Sequence, residues 1–217
     1  MLIILFINNV MKHLVLTSFF NTLIDPQRNT NWNSDIDQVM PLVDSVVNHQ
    51  QTIRIHHDCF VDVAQINNTS WSKFTPTGEF SPAVQRWFYY LEYLKNLKEK
   101  PKFVFMVDST DVLMLSNPFT NMKPGIIYTG DEAKKTIHDK WMKEKLKKLP
   151  KAFQTEYWEL MANLPKHNPQ MNAGVFGADV NLAIEFLETS FTVVIAMGIH
   201  PFPFRTRKLS PLAPMVL

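Results

Sequence analysis

Asp108 and Asp111 stand directly behind a run of five apolar residues, Phe103-Val104-Phe105-Met106-Val107. A short apolar run bounded by charge reads as a strand buried on both faces. A buried strand that stops at acids brings negative charge to the C-terminal edge of a parallel sheet, the edge at which α/β folds bind ligands. Two carboxylates there suit a hard divalent cation, and such a cation suits a diphosphate. Positions i and i+3 of an unbroken strand point to opposite faces. The pair can therefore share a ligand only if the strand ends at Asp108 and Ser109-Thr110 make a turn, which their hydroxyls favour by bonding nearby backbone. Asp is also common as a cap of turns and helices, so Asp-x-x-Asp alone leaves both roles open.

The elements that must position this pair follow from periodicity. His13 to Phe20 reads as the first strand and ends at Thr17-Ser18. Asp25 to Ser34 is polar, contains Pro26 and reads as a loop. Apolar residues recur at helical spacing from Asp37 to Asn48, with Asp35 or Asp37 as cap and Pro41 in the first turn. Thr52 to His56 alternates as a strand, and Phe60 to Ile66 follows as another. His56, His57, Asp58 and Cys59 are contiguous, which fits a strand end better than a metal cluster because side chains alternate along a strand. Asn67 to Phe80 reads as a loop, and its two overlapping glycosylation sequons matter only in the secretory pathway. Ser81-Pro82 opens an aromatic helix that runs to about Leu97. Ile126 to Thr129 reads as a short strand, and Asp131 and Glu132 as the cap of a helix that follows from Glu132 to Leu149. A further helix from Ala152 to Leu164, a strand from Ala173 to Ala178 and a helix from Val180 to Ser190 complete an alternating α/β pattern, which implies a mostly parallel sheet.

The chain has 217 residues and a net charge of +2, enough for one sizeable domain and without the basic stripe of a nucleic-acid binder. Cys59 is the single cysteine, so no internal disulfide can form. Met1 to Val10 is apolar but too short to span a bilayer, and it lacks the basic start and small-residue cleavage site of a signal peptide. No membrane segment is visible, and the compartment is not readable.

Val-Phe-Met-Val-Asp-Ser-Thr-Asp-Val followed by Asn117-Pro118-Phe119 resembles the metal motif of GT-A glycosyltransferases, in the Asp-x-x-Asp form of the glycosyltransferase domains of multifunctional lysyl hydroxylases. Pro169-Gln170-Met171-Asn172-Ala173-Gly174-Val175-Phe176-Gly177 is similar to the Asn-(Ala/Ser)-Gly segment that many such enzymes hold beside the donor sugar. Ile127-Tyr128-Thr129-Gly130-Asp131-Glu132 fits the strand that follows the metal motif.

The resemblance spans roughly residues 12–190 and implies a Rossmann-related GT-A domain over 1–190, with 191–217 as an atypical Pro-rich tail. It implies a hexose transfer from a UDP-sugar to a hydroxyl acceptor, with Mn²⁺ or Mg²⁺ as cofactor, and the Golgi or endoplasmic reticulum as compartment. Asp108 and Asp111 would hold the metal, with Asp108 also near the ribose. Thr17 and Ser18 would line the uridine pocket, and Arg86 would reach the nucleotide or brace the carboxylates. Asn172, Ala173 and Gly174 would approach the donor sugar, Gly174 because backbone without a side chain can come close to a ligand. Asp131 and Glu132, read above as a helix cap, could instead supply the base that activates the acceptor. Metal-dependent members commonly add a third ligand, often His, from near the C-terminal end. The tail has only His200 there, with four prolines at 201, 203, 211 and 214, and reads as an incomplete or alternative end. A catalytically incomplete relative that binds nucleotide without turnover is therefore the alternative expectation. An aspartyl-nucleophile phosphohydrolase and a metal-dependent adhesion domain fit less well, because the spacing around Asp108 departs from both patterns.

Overall fold

The computed structural model describes residues 12–22, 24–25, 30–31, 36–59, 66, 68–75, 82–135, 147, 151–162 and 169–197. Only backbone is described for 24–25, 30–31, 131–135, 169–173, 191–197 and several positions of 151–162. The elements run β1 (His13–Phe19), a short hairpin of β2 (Ile24–Asp25) and β3 (Thr30–Asn31), α1 (Met40–Asn48), β4 (Thr52–His57), β5 (Thr69–Lys73), α2 (Pro82–Asn96), β6 (Phe103–Val107), β7 (Tyr128–Lys135), α3 (Lys151–Ala162), β8 (Pro169–Asp179) and α4 (Val180–Met197).

Six strands form one sheet in the order β5-β4-β1-β6-β8-β7. The β1–β4, β1–β6 and β4–β5 pairs are parallel, whereas β8 is antiparallel to both β6 and β7. The sheet is thus mixed, not mostly parallel. Alternation identifies a strand but not its direction, which is set by the edge at which the preceding connection returns. Here β7 leaves the sheet at the C-terminal edge of β6, and β8 comes back from that same edge. From β1 the chain builds outward through β4 to β5, then crosses back to place β6 on the other side of β1. The reversal makes a topological switch point between the C-terminal ends of β1 and β6, where open α/β sheets leave a crevice.

Two apolar layers hold the sheet. On one face Val15, Phe19, Ile53, Ile55, Phe105 and Val107 pack against Leu42, Val43 and Val46 of α1. On the other Leu14, Leu16, Val104 and Met106 pack against Trp87, Tyr90 and Leu94 of α2 and Ala183 and Leu187 of α4. All five residues of β6 are buried, as its unbroken apolar run requires. Gly177 permits the close approach of β8 to β6: a Cβ there would lie 2.6 Å from the ring of Phe105.

Several sequence expectations need correction. Asp131 and Glu132 do not cap a helix; they lie in β7, paired with Met171 and Gln170. The loop expected over Asn67 to Phe80 contains β5, a polar edge strand whose Thr-Ser-Trp-Ser-Lys sequence lacks an apolar alternation. The N-cap of α1 is Val39, with no side-chain cap, while Asp37 sits in a preceding 3₁₀ turn. Asp35, all but Ile66 of the strand expected over residues 60–66, and most of the helix expected over 132–149 lie outside the described residues; Ile66 itself is not in a strand. Helix α4 continues past Ser190 to Met197; the rest of the Pro-rich tail, His200 included, is outside the described residues. Among the described residues no helix is long and apolar enough to cross a membrane.

Candidate functional site

β6 ends at Val107, and residues 109–111 bend away from the strand. This is the geometry that frees Asp108 and Asp111 from the opposite-face rule of a continuous strand. Asp108 continues the alternation of Val104 and Met106 and so faces α2. Arg86 of α2 meets it there, Nη1 donating to Asp108 Oδ1 as an ion pair. The Arg86 side chain is mostly covered, while that of Asp108 is about one-third exposed (13% and 36%). Asp111 is exposed on the bend.

The backbone of Asp108 is fixed independently. Its N–H donates to the carbonyl of Gly174 at 2.9 Å. Gly174 lies at a break in the β7–β8 register: Thr129 pairs with Phe176, but the next residue, Gly130, pairs with Asn172. Three residues of β8, Ala173 to Val175, therefore face no added residue of β7. Bulges of this kind bend a strand and are over-represented beside active sites. Beyond the bulge the chain from Pro169 to Asn172 pairs with β7 past the C-terminal end of β6, so Asn172 and Asp131 belong to a two-stranded arm that overhangs the edge occupied by Asp108. The side chains of Asp131, Asn172 and Ala173 lie outside the described set.

Thr17 and Ser18 diverge. Thr17 is fully buried, and its hydroxyl donates to the carbonyl of Val107 at 2.9 Å, stitching β1 to the last residue before Asp108. Ser18 alternates to the α2 side and is half-buried. Beneath it lies Tyr90, whose phenol is pushed up by burial, with the Arg86 charge opposing and that of Asp108 adding to the shift. Ser18, beside the phenol, opposes that shift, and the buried Tyr90 hydroxyl has no hydrogen-bond partner among the described residues. Ser18, Tyr90, Arg86 and Asp108 therefore form one polar cluster under α2. Thr17 supports it from within the sheet.

His56-His57-Asp58-Cys59 is a strand end, as its contiguity implied, and one of its residues has a role the sequence did not show. Asp58, the first residue after β4, is buried and accepts hydrogen bonds from the backbone N–H groups of Asn21 at 2.9 Å and Thr22 at 3.1 Å, and from the Thr22 hydroxyl. It fixes the chain where β1 leaves the sheet. The available signal was positional: like Asp108, it is an acid directly after a strand. Next to it His57 Nδ1 pairs with the Cys59 carbonyl at 2.9 Å, and burial lowers its pKa. His56 lies against Tyr90 and Tyr93, and burial, reinforced by Arg54 and His57, lowers its pKa to about 3. Neither histidine is arranged as a ligand. Farther along the edge, Phe74 after β5 lies tilted against Tyr89 of α2 with ring centroids 3.8 Å apart, and Phe20 after β1 meets Phe74 edge-on at 4.7 Å.

Among the described residues no three His, Cys, Asp or Glu side chains converge as a metal cage. The donor chemistry at the end of β6 nevertheless fits a cation of the Mg²⁺ or Mn²⁺ type, which commonly takes only one or two carboxylates and fills its remaining positions with water and substrate phosphates. No protein-family model matches the chain, and no curated protein matches it either.

Proposed function

We propose that this chain is a GT-A-like domain that binds a nucleotide-sugar, a UDP-sugar, and transfers its hexose to a hydroxyl acceptor. The observation that supports this most is the position of Asp108: at the switch-point end of β6, held by Arg86 through its side chain and by the Gly174 bulge through its backbone. A strand end fixed twice over is pre-organised, and pre-organised charge is what a site for a leaving diphosphate needs. Asp108 and Asp111 would hold Mn²⁺ or Mg²⁺, which when bound would neutralise the departing diphosphate as a Lewis acid. Ser18 would face the nucleoside from the end of β1, with Asp58 keeping the adjoining Asn21-Thr22 segment in place. The arm that carries Asn172 and Asp131 would flank the sugar and the acceptor.

A thermal-shift screen of nucleotides with and without Mn²⁺ tests the reading, because a ligand selective for the native state raises its melting temperature. UDP with Mn²⁺ is expected to stabilise the wild type and not Asp111→Ala. An equal shift in the variant removes Asp111 from the site, and no shift in the wild type removes the nucleotide. UDP-sugar hydrolysis, measured alongside, separates transfer chemistry from binding alone: a Mn²⁺-dependent shift without turnover identifies the catalytically incomplete alternative.

A further inference from the structure

We infer that Arg86 is the resident counter-cation of the acidic site, holding the place at Asp108 that a divalent cation takes once a diphosphate is present. The inference rests on the nucleotide-sugar reading and adds to it an order of events.

Arg86 lies in the second turn of α2 and donates directly to a carboxylate oxygen of Asp108. The guanidinium is largely covered and lies 4.9 Å from the ring centroid of Trp87, whereas Asp108 reaches towards solvent. A guanidinium is always charged. Asp108 is therefore compensated in the ligand-free protein, and a cation arriving alone meets a like charge beside its ligand. A diphosphate alters the balance, because its oxygens offer the guanidinium the bidentate geometry it favours. Arg86 then passes from carboxylate to phosphate, and the carboxylate oxygen it leaves is taken by the cation. The consequence is coupling: Mn²⁺ and UDP each bind weakly alone and tightly together, with Arg86 as the linking group.

The test is calorimetric titration of Mn²⁺ into the full chain, without and with saturating UDP, for wild type, Arg86→Gln and Arg86→Lys. Arg86→Gln is expected to bind Mn²⁺ alone roughly tenfold more tightly than wild type, since a like charge has gone, and to lose most of the coupling between Mn²⁺ and UDP. If Arg86→Gln binds Mn²⁺ alone no better than wild type, Arg86 is a brace and the inference fails, while Mn²⁺-dependent UDP binding by wild type leaves the nucleotide reading standing. If wild type binds neither, both fail together. Should Arg86→Gln not fold, Arg86→Lys decides: a point charge without the planar fork lowers the coupling by about threefold or more, and unchanged coupling overturns the exchange.

Discussion

Asp58 and Asp108 occupy matching places on either side of β1. Each is the first residue after a strand that pairs with β1 in parallel, β4 for one and β6 for the other. Their surroundings differ completely. Asp58 is buried and takes two backbone N–H groups and a hydroxyl from the segment that follows β1. Asp108 is partly exposed and its side chain meets a cation, Arg86. A carboxylate saturated by neutral backbone donors is fastened to the fold. One balanced by a single charged side chain, and itself partly open to solvent, can trade that partner for another. The same residue type at the same point of the topology thus serves as a rivet on one side of the crevice and as a candidate ligand on the other.

Asp58→Ala is the largest break of this contrast. It leaves buried donors on Asn21 and Thr22 without their acceptor and is expected to cost about 3 kcal/mol, read as a lower midpoint in urea with an unchanged slope. Asp58→Asn keeps one acceptor oxygen and should lose roughly half as much. A loss within a few tenths of a kcal/mol for Asp58→Ala would mean that the segment after β1 is held by something else.

The contrast also marks how far the sequence could be read. β6 and α2 were legible with almost their full bounds, because an unbroken apolar run and a Pro-led amphipathic segment are strong local signals. β5 was not, because an edge strand of Thr, Ser, Trp and Lys is defined by its neighbour β4 rather than by its own pattern. The direction of β8 and the bulge at Gly174 were equally hidden: both depend on which strands meet, and pairing is non-local. Asp108 and Arg86 were legible as types of residue at plausible places, but their pairing depends on α2 packing across β6. Asp58 was legible as part of a strand end, but not as the acceptor that holds the chain after β1, because its partners Asn21 and Thr22 lie 37 and 36 positions away in the chain.

Acidification sharpens the comparison next, because His56 and His57 directly precede Asp58 in the chain, whereas no histidine flanks Asp108 in sequence. His56 is held near a pKa of 3 by burial, against 6.5 in an unfolded chain. Between those values the unfolded state binds a proton that the native state does not. The contribution of neutral His56 to stability is therefore complete above about pH 6.5 and is lost as the pH falls towards 3. The slope is at most about 1.4 kcal/mol per pH unit for one proton, so roughly 2 kcal/mol should disappear between pH 7 and 5. His57 and His13, both lowered chiefly by burial, act in the same direction. Urea unfolding at pH 7, 6 and 5 reads the slope. His56→Phe should flatten it, and an equally steep slope in that variant would assign the effect to other groups.

The smallest stability effect is expected at Asp108, and it is the most informative. A partly exposed ion pair contributes about 1 kcal/mol or less, so Asp108→Ala should unfold at nearly the wild-type urea concentration. The same substitution should abolish the Mn²⁺-dependent UDP stabilisation expected of wild type, whereas the well-folded fraction of Asp58→Asn should retain it. The two variants then separate along different axes, one in unfolding and the other in binding, as their environments require. If Asp108→Ala costs as much as Asp58→Ala, Arg86 and Asp108 are a clamp between α2 and β6 of the same structural kind as Asp58. Its partial exposure would then be incidental, and the end of β6 would lose its claim to be the place where a ligand is bound.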